Sequence, residues 1–232
     1  MSGGAVGVGA GAVGVGAVIF DLDGTLFESQ RLYGEAYQAA VLPLLEKPLT
    51  REDLMRINAR SESAFFNAAV PEHQRAAARQ AFWREYDALH ESAFGGVFDG
   101  VRELLSGLDE RGLRRGIVSG KSRGSWEITS ARTGLDGFHA VVLDDDVERP
   151  KPDPQGILLA VERLELAVTE AVYVGDTASD MEAALAAGVR PVLATWAPAE
   201  EGRRRRALDA ADAAGAPVAA EPAEVVEILL GR

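Results

Sequence analysis

Ala17-Val-Ile-Phe-Asp-Leu-Asp-Gly-Thr-Leu26 joins an apolar run to an acidic turn. Its first four residues form a short apolar run with β-branched side chains, cut off by Asp21-Leu22-Asp23-Gly24-Thr25. Runs this short, bounded by turn residues, suit strands buried on both faces of a parallel sheet. The pattern recurs at Arg115 to Ser119, Ala140 to Leu143, Ala171 to Val174 and Pro191 to Ala194, with amphipathic helical stretches between them. Five strands alternating with helices predict an α/β fold, a doubly wound parallel five-stranded sheet.

Working outward, the residues from Thr25 to Gly95 carry helical patterns only: Arg31 to Leu45, Thr50 to Ala59, Glu62 to Ala69 and Pro71 to Leu89. Thr50 with Asp53 fits a capping box, and Pro71 suits a first helical position. The expected division is therefore a core of residues 17–26 and 96–232 with a helical insert, residues 27–95, above the carboxyl edge of the sheet, where a lid would sit. Residues 1–16 are almost wholly Gly, Ala and Val; with no basic segment and with alternating glycines they suit neither a secretory signal nor a membrane helix, and predict a flexible lead-in. Gly9, Gly11 and Gly14 match a dinucleotide-binding spacing, but that fingerprint has meaning only after a strand, and here it precedes one.

The 232 residues hold no cysteine, 24 Lys+Arg against 36 Asp+Glu, and 47% hydrophobic residues. Thiol nucleophiles, thiolate metal sites and disulfides are excluded, which fits a reducing cytoplasm. A formal charge of -12 argues against a phosphate-backbone binder, so neither nucleic acid nor membrane is an expected partner. The oligomeric state is open between monomer and homodimer.

Ligands of open parallel sheets bind beyond the carboxyl ends of the strands. Asp21 and Asp23 follow the first strand, Ser119 and Gly120 the second; the third leads through Asp144, Asp145 and Asp146 to Lys151; Asp176 and Asp180 follow the fourth. Carboxylates converging on one edge repel one another unless they share a cation, and an oxygen-only donor set selects Mg²⁺. Ser119 and Lys151 suit the gripping of phosphoryl oxygens. With a metal, a hydroxyl and a lysine, this is a phosphoryl-transfer constellation. In it Asp21 can attack phosphorus while Asp23 protonates the leaving oxygen and then deprotonates water.

The motifs DLDGTL (Asp21 to Leu26), VSG around Ser119, RPKPDP around Lys151 and VGDTASD (Val174 to Asp180) resemble, in order and spacing, the four motifs of the haloacid dehalogenase (HAD) superfamily of phosphatases. The resemblance covers nearly the whole chain from about Ala17. It implies a Rossmann-like core with a small helical cap, as in phosphoglycolate-phosphatase-like members. It also implies Asp21 as nucleophile and Asp23 as acid/base, with Asp21, the Asp23 backbone carbonyl and Asp176 as Mg²⁺ ligands and Asp180 supporting the metal through water. Ser119, Gly120 and Lys151 would bind phosphate, and the substrate would be a small phosphorylated metabolite.

Asp23 disfavours a dehalogenase, which lacks an acid at that place. Lys47, in an apparent turn, disfavours an imine-forming phosphonoacetaldehyde hydrolase. A phosphomutase resembling β-phosphoglucomutase shares every core motif, and a receiver-like switch shares the clustered aspartates but lacks so long an insert. Taken singly, Asp21 and Asp23 could be a turn cap and Ser119 a helix N-cap. Asp144 to Asp146 read as a solvated acidic loop, and Arg203 to Arg206 as a solvated helix face. His73, His90 and His139 read as ordinary histidines, Trp126 and Trp196 as core or rim packing. Arg56 and Arg60 are candidates for a second anionic group of the substrate, although solvated helix positions are the plainer reading.

Overall fold

The computed structural model describes residues 14–44 and 61–231. Its main sheet is built on β1 (Ala17–Phe20), which pairs in parallel with β4 (Arg114–Val118) on one side and β6 (Ala171–Gly175) on the other. Beyond β4 lies β5 (Ala140–Val142), and beyond β6 lies β7 (Arg190–Ala194). Each expected strand is present, with ends within a residue or so of those read from sequence. A sixth strand, β8 (Val218–Ala219), extends the five-stranded expectation at the β7 edge. It is two residues long and lacks the apolar run that marks the others, so periodicity could not reveal it.

Alternation along β1 sends neighbouring side chains to opposite faces. Val18 and Phe20 join one core with Val101, Leu104 and Leu108 of α4 (Val101–Glu110) and Val225 of α9 (Pro222–Leu229). Ala17 and Ile19 join another with Ile157 and Ala160 of α6 (Gln155–Arg163) and Ala183, Ala184 and Ala187 of α7 (Ala178–Ala187). The remaining core helices are α5 (Arg123–Thr133) and α8 (Glu201–Ala214). Trp126 is buried edge-on to Phe138, and Trp196 donates to the Thr25 carbonyl, as packing residues should. Of the lead-in, residues 1–13 lie outside the described residues; Val15 already packs on the core, and the Gly16 amide bonds to the Glu170 carbonyl.

The chain leaves this core through β2 (Phe27–Glu28) and returns through β3 (Gly96–Val97), and the two strands pair antiparallel with each other. Between them stand α1 (Gln30–Val41), α2 (Glu62–Ala69) and α3 (Arg75–Ala93). α3 buries Ala78, Phe82, Tyr86 and His90, a four-residue spacing that keeps one face inward. Leu32, Phe65 and Phe66 complete a separate apolar cluster around Phe82. α2 has the bounds expected for it, with the Ser61 hydroxyl capping the Ala64 amide. Pro71 does not open a helix: its ψ of 142° is extended, a 3₁₀ turn follows, and α3 begins at Arg75. The expected helix Thr50 to Ala59, with Thr50, Asp53, Lys47, Arg56 and Arg60, lies outside the described residues.

The insert rests on the core loops. The Glu62 amide bonds to the Gly120 carbonyl at 3.0 Å and the Ser63 amide to the Asp144 carboxylate at 2.7 Å. Asp144 to Asp146 are therefore not a merely solvated loop, since Asp144 is buried under α2 and Asp146 pairs with Arg123 and Arg163. His90 is likewise interior, stacked on Phe94 with Nε2 unpartnered, whereas the Nδ1 of His139 accepts from the Arg115 amide. Among the described residues no helix is long and apolar enough to cross a membrane.

Phe82 touches Tyr33, Tyr37, Phe66 and Tyr86 at centroid distances of 4.5–5.9 Å. Phe82→Ala should cost about 3–5 kcal/mol in denaturant unfolding; a loss under about 1 kcal/mol would mean this cluster does not hold the insert together.

Candidate active site

At the end of β1 the chain turns tightly: the Thr25 and Leu26 amides bond back to the Leu22 carbonyl, while the Asp21 amide bonds to Val174 of β6. Gly24 is required there. Its φ is +91°, and a Cβ would lie 2.6 Å from Oδ2 of Asp176. The turn can thus bring the aspartates of β1 against the one that follows β6.

Lys151 joins the two strand ends. Its Nζ lies 2.9 Å from Asp21 Oδ1 and 2.5 Å from Asp180 Oδ1, and it donates to the Tyr173 hydroxyl at 2.9 Å. Asp180 is fully buried, and its other oxygen accepts from the Thr177 amide, closing a capping box at the start of α7. Ser119, buried at the end of β4, is fixed by its amide bond to the Val142 carbonyl. Asp21, Asp23, Ser119, Gly120 and Lys151 all face one cleft of about 890 Å³, and Asp176 and Asp180 bring oxygens close to Asp21 without lining it.

The remaining walls come from the insert and from α8. Tyr33, Tyr37, Glu62 and Phe65 line the cleft, as do Arg203 and Arg206. Sequence patterning does not single out Lys121, Tyr33 or Glu62, yet they form the link between insert and core. Lys121 is almost fully buried, its Nζ 3.1 Å from Asp23 Oδ1 and 2.8 Å from the Tyr33 hydroxyl, over the rings of Tyr33 and Tyr86. Tyr33 in turn donates to Glu62 at 2.6 Å, and Ser125 donates to the other Glu62 oxygen at 3.0 Å. The Ser29 hydroxyl also donates to Asp23. The one usable sequence signal for Lys121 is its place two residues after Ser119, in a loop already assigned to the site. Arg56 and Arg60 lie outside the described residues, so the cations on view at the cleft are others.

Electrostatics follow from burial. Burial, with Asp180 and Asp23 nearby, pushes Asp21 up to about 6 despite Lys151. Burial and Asp180 push Asp176 up to about 7 against the pull of Arg203. Asp180 goes the other way, because Lys151 and Thr177 hold its carboxylate ionised although burial opposes this. Burial would pull Lys121 and Lys151 down, and the carboxylates against them reverse the direction, so both ammonium groups stay charged.

Oxygens of Asp21, Asp176 and Asp180 lie within 4.8 Å of one another. The set is all carboxylate, without nitrogen or sulfur, and suits a hard divalent cation. Burial first, and the neighbouring carboxylates with it, push Asp21 and Asp176 up, so a cation shared between them would lower the cost of ionising both. Asp180 has both oxygens engaged, by Lys151 and Thr177, whereas Asp21 meets Lys151 and Asp176 meets Arg203 through one oxygen each. Arg203 approaches Asp176 Oδ2 at 2.8 Å, so the arginine run is not simply a solvated face.

A family model described as haloacid dehalogenase-like hydrolase matches residues 18–194. A pyrophosphatase PpaX of Listeria innocua is 35% identical over 182 residues, spanning 78% of this chain and 83% of that protein. A phosphoglycolate phosphatase of Xanthomonas campestris is 33% identical over 183 residues, 77% of this chain and 82% of that one. Among solved structures, a hydrolase from Pseudomonas syringae superposes with a TM-score of 0.72 at 24% identity, covering 91% of this chain and 96% of that one, a likeness of fold.

The raised Asp176 carboxyl has a consequence for stability. Between an aspartate's ordinary value of 3.8 and about 7 the folded state binds more protons at this group than the unfolded chain does, so stability falls as pH rises through that window and stays lower above it. Asp176→Asn removes the buried charge, and its exposed partner Arg203 can turn to water. In EDTA at pH 8 the variant should melt about 2–8 °C above wild type, with the gap closing toward pH 4. A variant no more stable at pH 8 would contradict the charge burial.

Proposed function

The chain belongs to the haloacid dehalogenase-like hydrolases, and from this premise we propose that it is a Mg²⁺-dependent phosphatase that works through an aspartyl phosphate on Asp21. At the coarser level its relatives are named phosphatases and pyrophosphatases, and it is a hydrolase of phosphoric esters of that kind. Phosphoglycolate and pyrophosphate, the compounds in those names, are the first substrates to try. The observation that carries the reading is Lys151 against Asp21 at 2.9 Å, beside a carboxylate cluster, at the floor of a cleft that also holds Ser119 and Asp23.

Substrate phosphate would lie between Lys151, the Ser119 hydroxyl and the Gly120 amide, which neutralise and orient its oxygens. Asp21 attacks phosphorus in line with the leaving oxygen; the new bond is carboxylate O–P, and the bond broken is P–O of the ester or anhydride. Asp23, aimed by Ser29 and Lys121, gives its proton to the leaving oxygen. Once the leaving group has departed, Asp23 takes a proton from water as that water attacks phosphorus, which frees phosphate and restores Asp21. Mg²⁺ held by Asp21, Asp176 and the Asp23 carbonyl would supply positive charge for the phosphoryl oxygens.

The helical insert, residues 27–95, is proposed to act as a cap. Its Tyr33, Glu62 and Phe65 form cleft wall, so closure excludes bulk water from the phosphoryl group while leaving the sheet unmoved. Asp180 serves as a support, fixing Lys151 rather than reaching the phosphate itself.

The test is phosphate release from phosphoglycolate, pyrophosphate and a panel of phosphorylated metabolites, with Mg²⁺ and with EDTA, for wild type and Asp21→Asn. Release should need the metal and fall by about three orders of magnitude or more in the variant, with circular dichroism unchanged. Wild-type turnover by Asp21→Asn would end the mechanism. Conversion of a sugar 1-phosphate to the 6-phosphate without phosphate release would make the protein a mutase instead.

A further inference from the structure

Arg203 to Arg206 occupy the first turns of α8 (Glu201–Ala214), where the helix macrodipole is positive and cations are disfavoured. Four arginines there work against the helix, and their surroundings give them different tasks. Arg204 donates to the carbonyls of Thr195 and Ala197 at 3.0 and 2.9 Å, which ties the start of α8 to the loop after β7. Arg205, exposed like Arg203 and Arg206, does not line the cleft. Arg203 and Arg206, three residues apart and so on one helix face, both line the cleft that holds Asp21, Ser119 and Lys151.

The other cations of that cleft are already engaged. Lys121 is held by Asp23, and Lys151 by Asp21 and Asp180. Arg203 pairs with Asp176, whose oxygens a divalent ion would share. Arg206 pairs with no described carboxylate, although Glu182 faces the same wall. An arginine left with five donors at a cleft wall, on a helix pinned in place by its neighbour, suits a second anionic group on whatever binds at Lys151.

We propose that Arg206, flanked by Arg203, is a specificity-determining residue that binds a distal carboxylate or phosphate of the substrate, so that the enzyme prefers small phosphate compounds carrying two anionic groups. The proposal rests on the phosphatase reading above and adds a subsite supplied by the core helix α8 rather than by the insert. It needs no new chemistry, because the arginine meets a part of the substrate in which no bond changes. The distal group fixes the far end of the molecule, and that binding energy is available for orienting the reacting end.

The test compares phosphoglycolate with ethyl phosphate, which lacks the carboxylate but is otherwise close in shape. For Arg206→Gln the ratio of kcat/KM between the two substrates should fall about ten- to a hundredfold, chiefly through KM, with partial recovery in Arg206→Lys and none of the effect in Arg205→Gln. An unchanged ratio, or an equal fall for Arg205→Gln, overturns the proposal. Binding of phosphoglycolate by calorimetry, with Mg²⁺ present, to Asp21→Asn and to Asp21→Asn/Arg206→Gln separates the subsite from the turnover. Should wild type hydrolyse nothing, the phosphatase reading fails; a Kd weakened about tenfold or more by the second substitution would still establish the subsite, and an equal Kd or no binding would refute it.

Discussion

Repulsion among carboxylates governs how the strand ends of this protein are built. Asp21, Asp176 and Asp180 bring oxygens within 4.8 Å of one another, where two ionised carboxylates repel by about 3.5 kcal/mol or more at an effective dielectric constant near 20. Parallel strands make such crowding possible, because β1 and β6 are neighbours whose carboxyl ends share one edge. Lys151 makes it tolerable by sitting between two of the three acids, and Gly24 makes it geometrically possible by leaving out a side chain where Asp176 must stand. Burial and the remaining repulsion together push Asp21 up to about 6 and Asp176 up to about 7.

The second organising feature is a lysine of the core buried among aromatic rings of the insert. Lys121 comes from the loop after β4, yet the rings around it belong to β2, α1 and α3, and its ionic partner Asp23 belongs to the loop after β1. Glu62 adds a further acid to this interior chain through Tyr33. Because a buried charge is stable only with its partners in place, separation of insert and core would leave Lys121 and Glu62 exposed to new solvation while Asp23 loses a hydrogen-bond donor. The position of the insert and the orientation of Asp23 are thereby one variable rather than two.

What could be read from sequence was whatever follows a strand. Asp21, Asp23, Ser119, Lys151 and Asp176 are each placed by a short apolar run just before them or by a turn tied to one, so period and position carried the information. β8 escaped because two residues show no period, and β2 and β3 because a two-residue ribbon reads as loop. Lys121, Tyr33 and Glu62 escaped for another reason: their meaning depends on which face of α1 and α2 meets the core, a tertiary fact that a helical pattern leaves open. The arginine run was visible, but a row of like charges looks the same whether it faces water or a cleft, and only the anchoring of Arg204 sets apart the faces of its neighbours.

The ribbon of β2 and β3 closes the insert at its base. Phe27 sits opposite Val97 and Glu28 opposite Gly96, so the points where the chain departs from and rejoins the core are adjacent. A long excursion that begins and ends at one place constrains its host very little: the conformational cost of closing it grows only slowly with the number of residues it contains. The sheet could therefore carry a longer, shorter or differently folded excursion at the same junction without altering its own register. In such a design the residues of the excursion are free to change at a different rate over evolutionary time from the groups tied to strand ends.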